Sequence, residues 1–299
     1  MVTRPPKLEL PPAARVVAQK LGFTEGPAVM DDLSLAVVSI NRGCVYRVWL
    51  DGSSPDLIVE TGGGPNGVAV DALGALWFAQ NGGSAMASKS NLATGPSLQR
   101  WHNGVLETVV SSGLISPSDC VFGPDGRLWF TDPADHNLQE SSPTGRVMAF
   151  DPLSGQLQTA AEDLRFPNGL AFGADVTNLY VAETANGSVR RFAVTDDECS
   201  PDGWSVLMPG WRPDGMALDE AGWLWVAGSS GDDVVAIDPA GAVRHRVSFG
   251  TGVMVTSVCF AGPELDQMVV TIAKGGTVAA LPAVHPGLPV PLRRAGHTD

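Results

Sequence analysis

Residues 116–133 read SPSDCVFGPDGRLWFTDP: a short apolar run, a Pro-Asp-Gly turn, and a second apolar run that carries a tryptophan. A polar turn with glycine between two runs rich in Val, Phe and Trp predicts a β-hairpin. The pattern returns as GPNGVAVDALGALWFAQN at 64–81, FPNGLAFGADVTNLYVAET at 166–184 and RPDGMALDEAGWLWVAGS at 212–229. Two degenerate copies flank these four, FTEGPAVMDDLSLAVVSI at 23–40 and VTSVCFAGPELDQMVVTIA at 255–273.

Weaker strand signals follow the hairpins, as in 146–163, 188–199 and 233–248, so one unit amounts to about four strands. Equivalent positions Glu25, Asn66, Ser118, Asn168, Asp214 and Ser257 are spaced 41, 52, 50, 46 and 43 residues apart. Four strands repeating at that period predict an all-β, six-bladed propeller. A β-sandwich has similar turns but no reason to repeat one hairpin six times. A ring must be tied at its ends, and Arg15–Gln19 laid on the outside of 276–281 would tie it. The expectation is therefore one domain over 1–299, with a core of about 15–282 and peripheral tails at 1–14 and 283–299.

Composition narrows the partners. The 299 residues carry 19 basic and 32 acidic side chains, a net charge of −13, which argues against a nucleic-acid or anionic-membrane partner. No stretch approaches 18 consecutive apolar residues, and the N-terminus lacks the apolar segment of a signal peptide, so the expected compartment is the cytoplasm. Cys44, Cys120 and Cys259 sit in apolar runs, read as buried thiols, and with Cys199 they form no CxxC pair. The expected partner is a small molecule; nothing in the sequence fixes an oligomeric state.

The six equivalent positions precede the innermost strand of each blade and therefore ring one mouth of the channel. All six offer oxygen, two as carboxylates and two as carboxamides, which suits a hard divalent cation. Asn and Asp before a strand are also ordinary turn residues, but Glu25 departs from turn chemistry and keeps the carboxylate. Calcium is the first expectation, with Mg²⁺, Mn²⁺ or Zn²⁺ as alternatives.

With these elements the chain resembles the SMP-30/gluconolactonase family. The likeness covers about 15–282 and rests on Glu-Gly-Pro at 25–27, Pro-Asn-Gly at 167–169, Pro-Asp-Gly at 213–215 and the ten residues PDGRLWFTDP at 124–133. It implies a metal held by Glu25, Asn168 and Asp214, and hydrolysis of sugar lactones and related cyclic esters. Many members have Asn where this chain has Ser118, and some carry Arg where it has Ser116.

The candidate catalytic residues are Asp214, as metal ligand and general base, with Ser118 and Asp119. The candidate substrate contacts are Asn66, Ser116, Ser118, His136 and Ser257. His102 and His136 lie in loop segments; His245, His285 and His297 fall in outer-strand or tail segments. The Gly/Ser/Ala-rich stretch 82–99 reads either as a flap over the pocket or as a plain surface loop. Trp77, Trp129, Trp223 and Trp225 are expected to pack between blades. No Gly-x-Ser-x-Gly elbow and no phosphate-cradling glycine loop is present, so a serine hydrolase or nucleotide enzyme is unsupported. Other metal-dependent chemistry on a small cyclic substrate (phosphotriester cleavage or a ring-forming step) and a non-catalytic binding propeller stay open.

Overall fold

The computed structural model describes residues 5–136, 138, 143–195 and 199–290. Six four-stranded antiparallel sheets stand around one axis. Their innermost strands are Thr24–Val29, Pro65–Val70, Cys120–Phe122, Pro167–Phe172, Pro213–Leu218 and Val255–Ala261. Each touches the next all the way round, and the last touches the first. Helix among the described residues amounts to the 3₁₀ turn Ile40–Arg42. No helix there is long and apolar enough to cross a membrane.

In blades one to five the four strands follow one another in sequence. Blade six takes its outermost strand from the other end of the chain: Arg15–Ala18 pairs antiparallel with Thr277–Pro282, in register Arg15 with Ala280 and Val16 with Ala279. The closure expected from the sequence is the one observed.

Each blade is covered on both faces, so the second strands read as almost unbroken apolar runs; Leu35–Ser39 is buried throughout. The core is accordingly divided into six clusters, one at each blade interface. Trp77 meets Phe122 of blade three edge-on with centroids 6.0 Å apart, Trp129 meets Phe172 of blade four at 5.5 Å, and Trp225 meets Phe260 of blade six at 6.5 Å. Such pairs contribute about 0.5–1.5 kcal/mol each beyond their burial. Each indole N–H donates to the aspartate of its own hairpin turn, Asp71, Asp125 or Asp219. The repeated Asp–Trp pairing, six residues apart in blades two and five and four in blade three, thus fixes turn and interface together. Trp223 lies in the turn ahead of Leu224–Gly228, packs on His245 and His285, and sits against the cluster between blades five and six as expected.

The tails are less peripheral than their composition suggests. Lys7–Leu8 pairs with Gly250–Thr251, and the Glu9 N–H donates to the Phe249 carbonyl at 2.8 Å. At the other end, Gly287 N–H donates to Leu265 O and Leu288 N–H to Leu218 O, at 2.8 and 2.9 Å. Main-chain pairing, to which Pro-rich and polar composition is a poor guide, holds both segments on the propeller. His297 lies outside the described residues. All four cysteines are free; Cys44, Cys120 and Cys199 are buried, whereas Cys259 is only partly buried because it faces the central channel.

Candidate functional site

Five of the six innermost strands enter the sheet through an irregularity, whereas Cys120–Phe122 of blade three pairs in regular register. The register shifts between Glu25 and Ala28, Pro65 and Gly67, Pro167 and Leu170, Pro213 and Met216, and Val255 and Ser257. A bulge re-aims the side chain beside it, and here it turns the ring residues toward the axis. Glycine follows the ring residue in four blades. At Gly26, with φ +38°, an added Cβ would lie 2.7 Å from the Asn66 carbonyl oxygen, so only glycine lets blades one and two close to this distance.

The sequence-derived ring is brought together on one side of the axis. Asn66 Nδ2 donates to Ser118 Oγ at 3.1 Å, Ser118 Oγ donates to Asn168 Oδ1 at 3.2 Å, and Asn168 Nδ2 donates to Asp214 Oδ1 at 2.6 Å. Glu25 Oε2 accepts the Gly26 N–H at 3.0 Å. All of these side chains are buried. Asp119 stands one residue deeper than the ring and accepts the Cys120 N–H at 2.8 Å. Ser257 departs from the alignment read in the sequence: by register it stands level with Gly67, Asp119 and Gly215, one residue past the ring. There it and Asp119 line the channel, and Thr256 takes the blade-six place at the bulge.

The electrostatics of the site are those of acids without a counterion. Burial, reinforced by Asp214 and then Asp119, holds the Glu25 carboxyl well above the usual range. Burial and then Asp119 do the same to Asp214, and burial alone pushes Asp119 up to about 7. Among the described residues no Lys, Arg or His forms an ion pair with any of the three. Buried carboxylates are stable when paired or when coordinating a metal, so this donor set fits a divalent cation. Among the described residues no three His, Cys, Asp or Glu side chains form a metal-holding group by themselves. A cation here would therefore depend on the Asn168 carboxamide as well as on Glu25 and Asp214.

Several residues that hold the ring in place escaped the sequence reading. Thr131 Oγ1 donates to Asn168 O and Thr184 Oγ1 to Pro213 O, both at 2.7 Å, and Thr256 Oγ1 donates to Thr24 O at 2.9 Å. These hydroxyls lock neighbouring blades at the level of the ring. Asp132 accepts the Ser116 N–H at 2.7 Å and is held by Arg146; Glu183 accepts the Arg165 N–H at 2.7 Å and is held by Arg190. Each acid therefore fixes the loop that delivers the ring residue of its own blade. The signal for them is the acid and threonine that close the second strands, Thr131-Asp132 and Glu183-Thr184.

Ser116 and His136 lie at the outer side of the ring. Ser116 Oγ is 3.3 Å from His136 Nδ1 and also hydrogen-bonds Ser84 Oγ. The His136 ring meets Phe166 edge-on at 5.0 Å. Phe166 has φ +51°, a costly conformation for a bulky residue and one that clusters at functional sites. His136 Nε2 is buried with no hydrogen-bond partner among the described residues. Burial pushes the imidazole down to about 4, so it is neutral near pH 7.

That shift has a measurable consequence. The unfolded chain takes up the proton near pH 6.5 and the native chain only near pH 4, so His136 makes the fold lose stability as pH falls through that window. His136→Phe removes this loss, and its melting temperature should fall less than that of wild type between pH 7 and about pH 4. Parallel melting profiles would show that His136 is freely protonated in the native state.

Ser84 belongs to the insertion of blade two, which is shorter than its composition implies. The third strand already starts at Pro96, leaving 82–95 as loop. The loop is pinned: Lys89 N–H donates to Asn41 O at 2.8 Å and Thr94 Oγ1 to Thr61 O at 3.0 Å. With Ser84 on Ser116 it reaches from blade one to blade three over the ring side. His102 ends the third strand of blade two at the opposite face.

The model for the SMP-30/Gluconolactonase/LRE-like region matches residues 23–274, nearly the whole propeller. The chain belongs to this family. Among SMP-30/gluconolactonase relatives, the pentonolactonase XacC of Haloferax volcanii is 33% identical over 164 residues, 53% of this chain and 53% of that protein. The alignment thus spans about half the length of the Haloferax protein. The gluconolactonase of Zymomonas mobilis is 23% identical over 284 residues, 85% of this chain and 77% of its own. A solved gluconolactonase structure from Xanthomonas campestris superposes with a TM-score of 0.72 at 25% identity, covering 93% of this chain and 94% of that one. The family model begins just before Glu25 and ends just beyond the second strand of blade six, so all six ring residues fall inside it.

Proposed function

We propose that the protein is a divalent-metal-dependent lactonase that opens the cyclic ester of a sugar acid or a related small molecule. The observation that carries this reading is the group of buried, counterion-free carboxyls at one mouth of a propeller of this family. The gluconolactonase and pentonolactonase names among the relatives support the substrate class.

Glu25, Asn168 and Asp214 would hold the cation, with calcium the first candidate and Mg²⁺, Mn²⁺ and Zn²⁺ the others. When bound it would polarise the ester carbonyl and acidify a water. Asp214 is assigned the role of taking a proton from the attacking water, because its carboxylate is the ring acid aligned by Asn168. Ser118 and Asn66, linked to each other, offer hydrogen bonds to the lactone. On the outer side, Ser116 and the Nε2 of His136 offer two more, and a neutral imidazole can either donate or accept there.

The reading is tested by stripping the protein with chelator and assaying a lactone panel with Ca²⁺, Mn²⁺, Mg²⁺ and Zn²⁺ added singly. Activity lost on chelation and restored by at least one metal supports it. A wild type that opens no lactone with any of the four overturns it. Glu25→Gln should bind metal more weakly, having lost a full charge, and should show a smaller metal-induced rise in melting temperature. A ligand at 100 times its Kd stabilises the native state by about 2.7 kcal/mol, so the difference is readable by calorimetry. An unchanged thermal shift would remove Glu25 from the metal shell.

A further inference from the structure

On the side of the ring away from Ser116 and His136, the innermost strands enclose a second compartment. A cavity of about 340 Å³ runs from Asp119 and Ser257 toward the opposite face, with Leu288, Pro289 and Val290 in its wall. That volume is at the lower end of small-molecule pockets, about 300–1,000 Å³. The hollow has a cause in the sequence. Ala28, Ala69, Val121, Ala171 and Ala217 each stand three residues after the ring residue of their blade, and all five line the cavity. The bulk at that level is one strand further out, where Trp77, Trp129 and Trp225 pair with Ala69, Val121 and Ala217 and fill the blade interfaces instead.

The lining is apolar along its length and polar at one end. Among the described residues no Lys, Arg or His contributes to it. At the inner end stands the Asp119 carboxyl, which accepts the Cys120 N–H and retains further acceptor positions. It is close enough to Glu25 and Asp214 to raise both of their carboxyls. An anionic head group would face acids with no compensating cation among the described residues, whereas a hydrogen-bond donor would meet an acceptor.

We propose that this channel binds a small molecule with an alkyl or aryl body and a hydrogen-bond-donating head, an alcohol or an amine, the head against Asp119 and the body along the ring of small residues. The linked side chains of Asn66, Ser118, Asn168 and Asp214 stand between this compartment and the outer mouth. The site adjoins the proposed lactone site with Asp119 at the boundary, but it shares none of the residues assigned above to metal or lactone, so either reading can fail without the other. The ligand enters from the far face past Leu288–Val290, a segment tied there by main-chain hydrogen bonds to Leu218 and Leu265.

Titration calorimetry on the full chain with 1-octanol, octylamine and octanoate tests the site. Saturable one-site binding of the alcohol or the amine, and none of octanoate, is expected; the two arms separate a neutral from a cationic head. Ala217→Phe and, independently, Val121→Phe place a ring in the channel and should weaken that binding at least about tenfold. Lactone opening should persist in both. A brominated octanol soaked into crystals of the wild type should put its bromine among the small residues. The proposal is overturned if neither alcohol nor amine binds saturably, if octanoate binds as well as they do, if a folded variant binds as tightly as wild type, or if the bromine lies elsewhere.

Discussion

Asp214→Asn is expected to give a protein that excess metal reloads without restoring its rate. The substitution acts twice. It removes a full negative charge from a ring in which Glu25 and Asp214 are the only two acids, and it removes the carboxylate that takes the proton from water. Raising the metal concentration offsets the first loss by mass action and leaves the second. Loss of a general base costs about 10²–10⁴-fold, so the deficit at saturating metal should be of that order. Asn168→Ala is the necessary comparison. It removes a neutral oxygen ligand and the donor 2.6 Å from Asp214 Oδ1, but leaves the carboxylate in place. Excess metal should return a large part of its rate. Both are measured as kcat on a lactone the wild type turns over, with bound metal quantified in the same samples. Full recovery of Asp214→Asn would reduce Asp214 to a ligand. Asp119, held to about 7 by burial, would then be the first candidate for the base.

The ring was legible because it is a column. A single Pro-Asn-Gly is a turn, but six oxygen-bearing residues at equivalent places in a repeating unit, one of them the turn-averse Glu25, have no common explanation in turn chemistry. The fold was legible for the same reason: blades repeat, and each repeat carries its own punctuation. The side chains that brace the ring were not. Thr131, Thr184, Asp132 and Glu183 act on main-chain groups of a neighbouring blade or of the preceding loop. Their partners are backbone atoms, which carry no residue signature. Ser84 was hidden for another reason. It sits in a segment whose composition suggests a free loop, and only the packing of that loop across blades one to three brings it to Ser116. The cavity beneath the ring was legible in principle from the alanines at 28, 69, 171 and 217. Small residues in an inner strand, however, are as readily explained by close blade packing until the axis is seen to be hollow.

Removing residues 1–18 should unfold the propeller rather than weaken it. The deletion takes away the outermost strand of blade six and exposes the edge Val278–Ala280 that it covers. Val17 and Ala18 are about 95% buried, in the cluster that joins blade six to blade one and also holds Leu35, Val269 and Val278. Burial of a valine contributes about 1.5–3 kcal/mol, and each ladder hydrogen bond about 0.5–1.5 kcal/mol net. With the Lys7–Leu8 pairing lost as well, the sum approaches the whole stability of an ordinary domain, about 5–15 kcal/mol. Topology adds to it, because this strand is the tie between the chain ends and every blade depends on two neighbours. The truncated chain should show no cooperative melting transition at the wild-type temperature and should expose its tryptophans. A peptide of residues 5–21 added in trans, or the same segment moved to the C-terminus, should restore the transition by refilling the edge. A truncation that melts where the wild type does would mean that blade six is stable with three strands, and the closure would carry no weight in holding the ring.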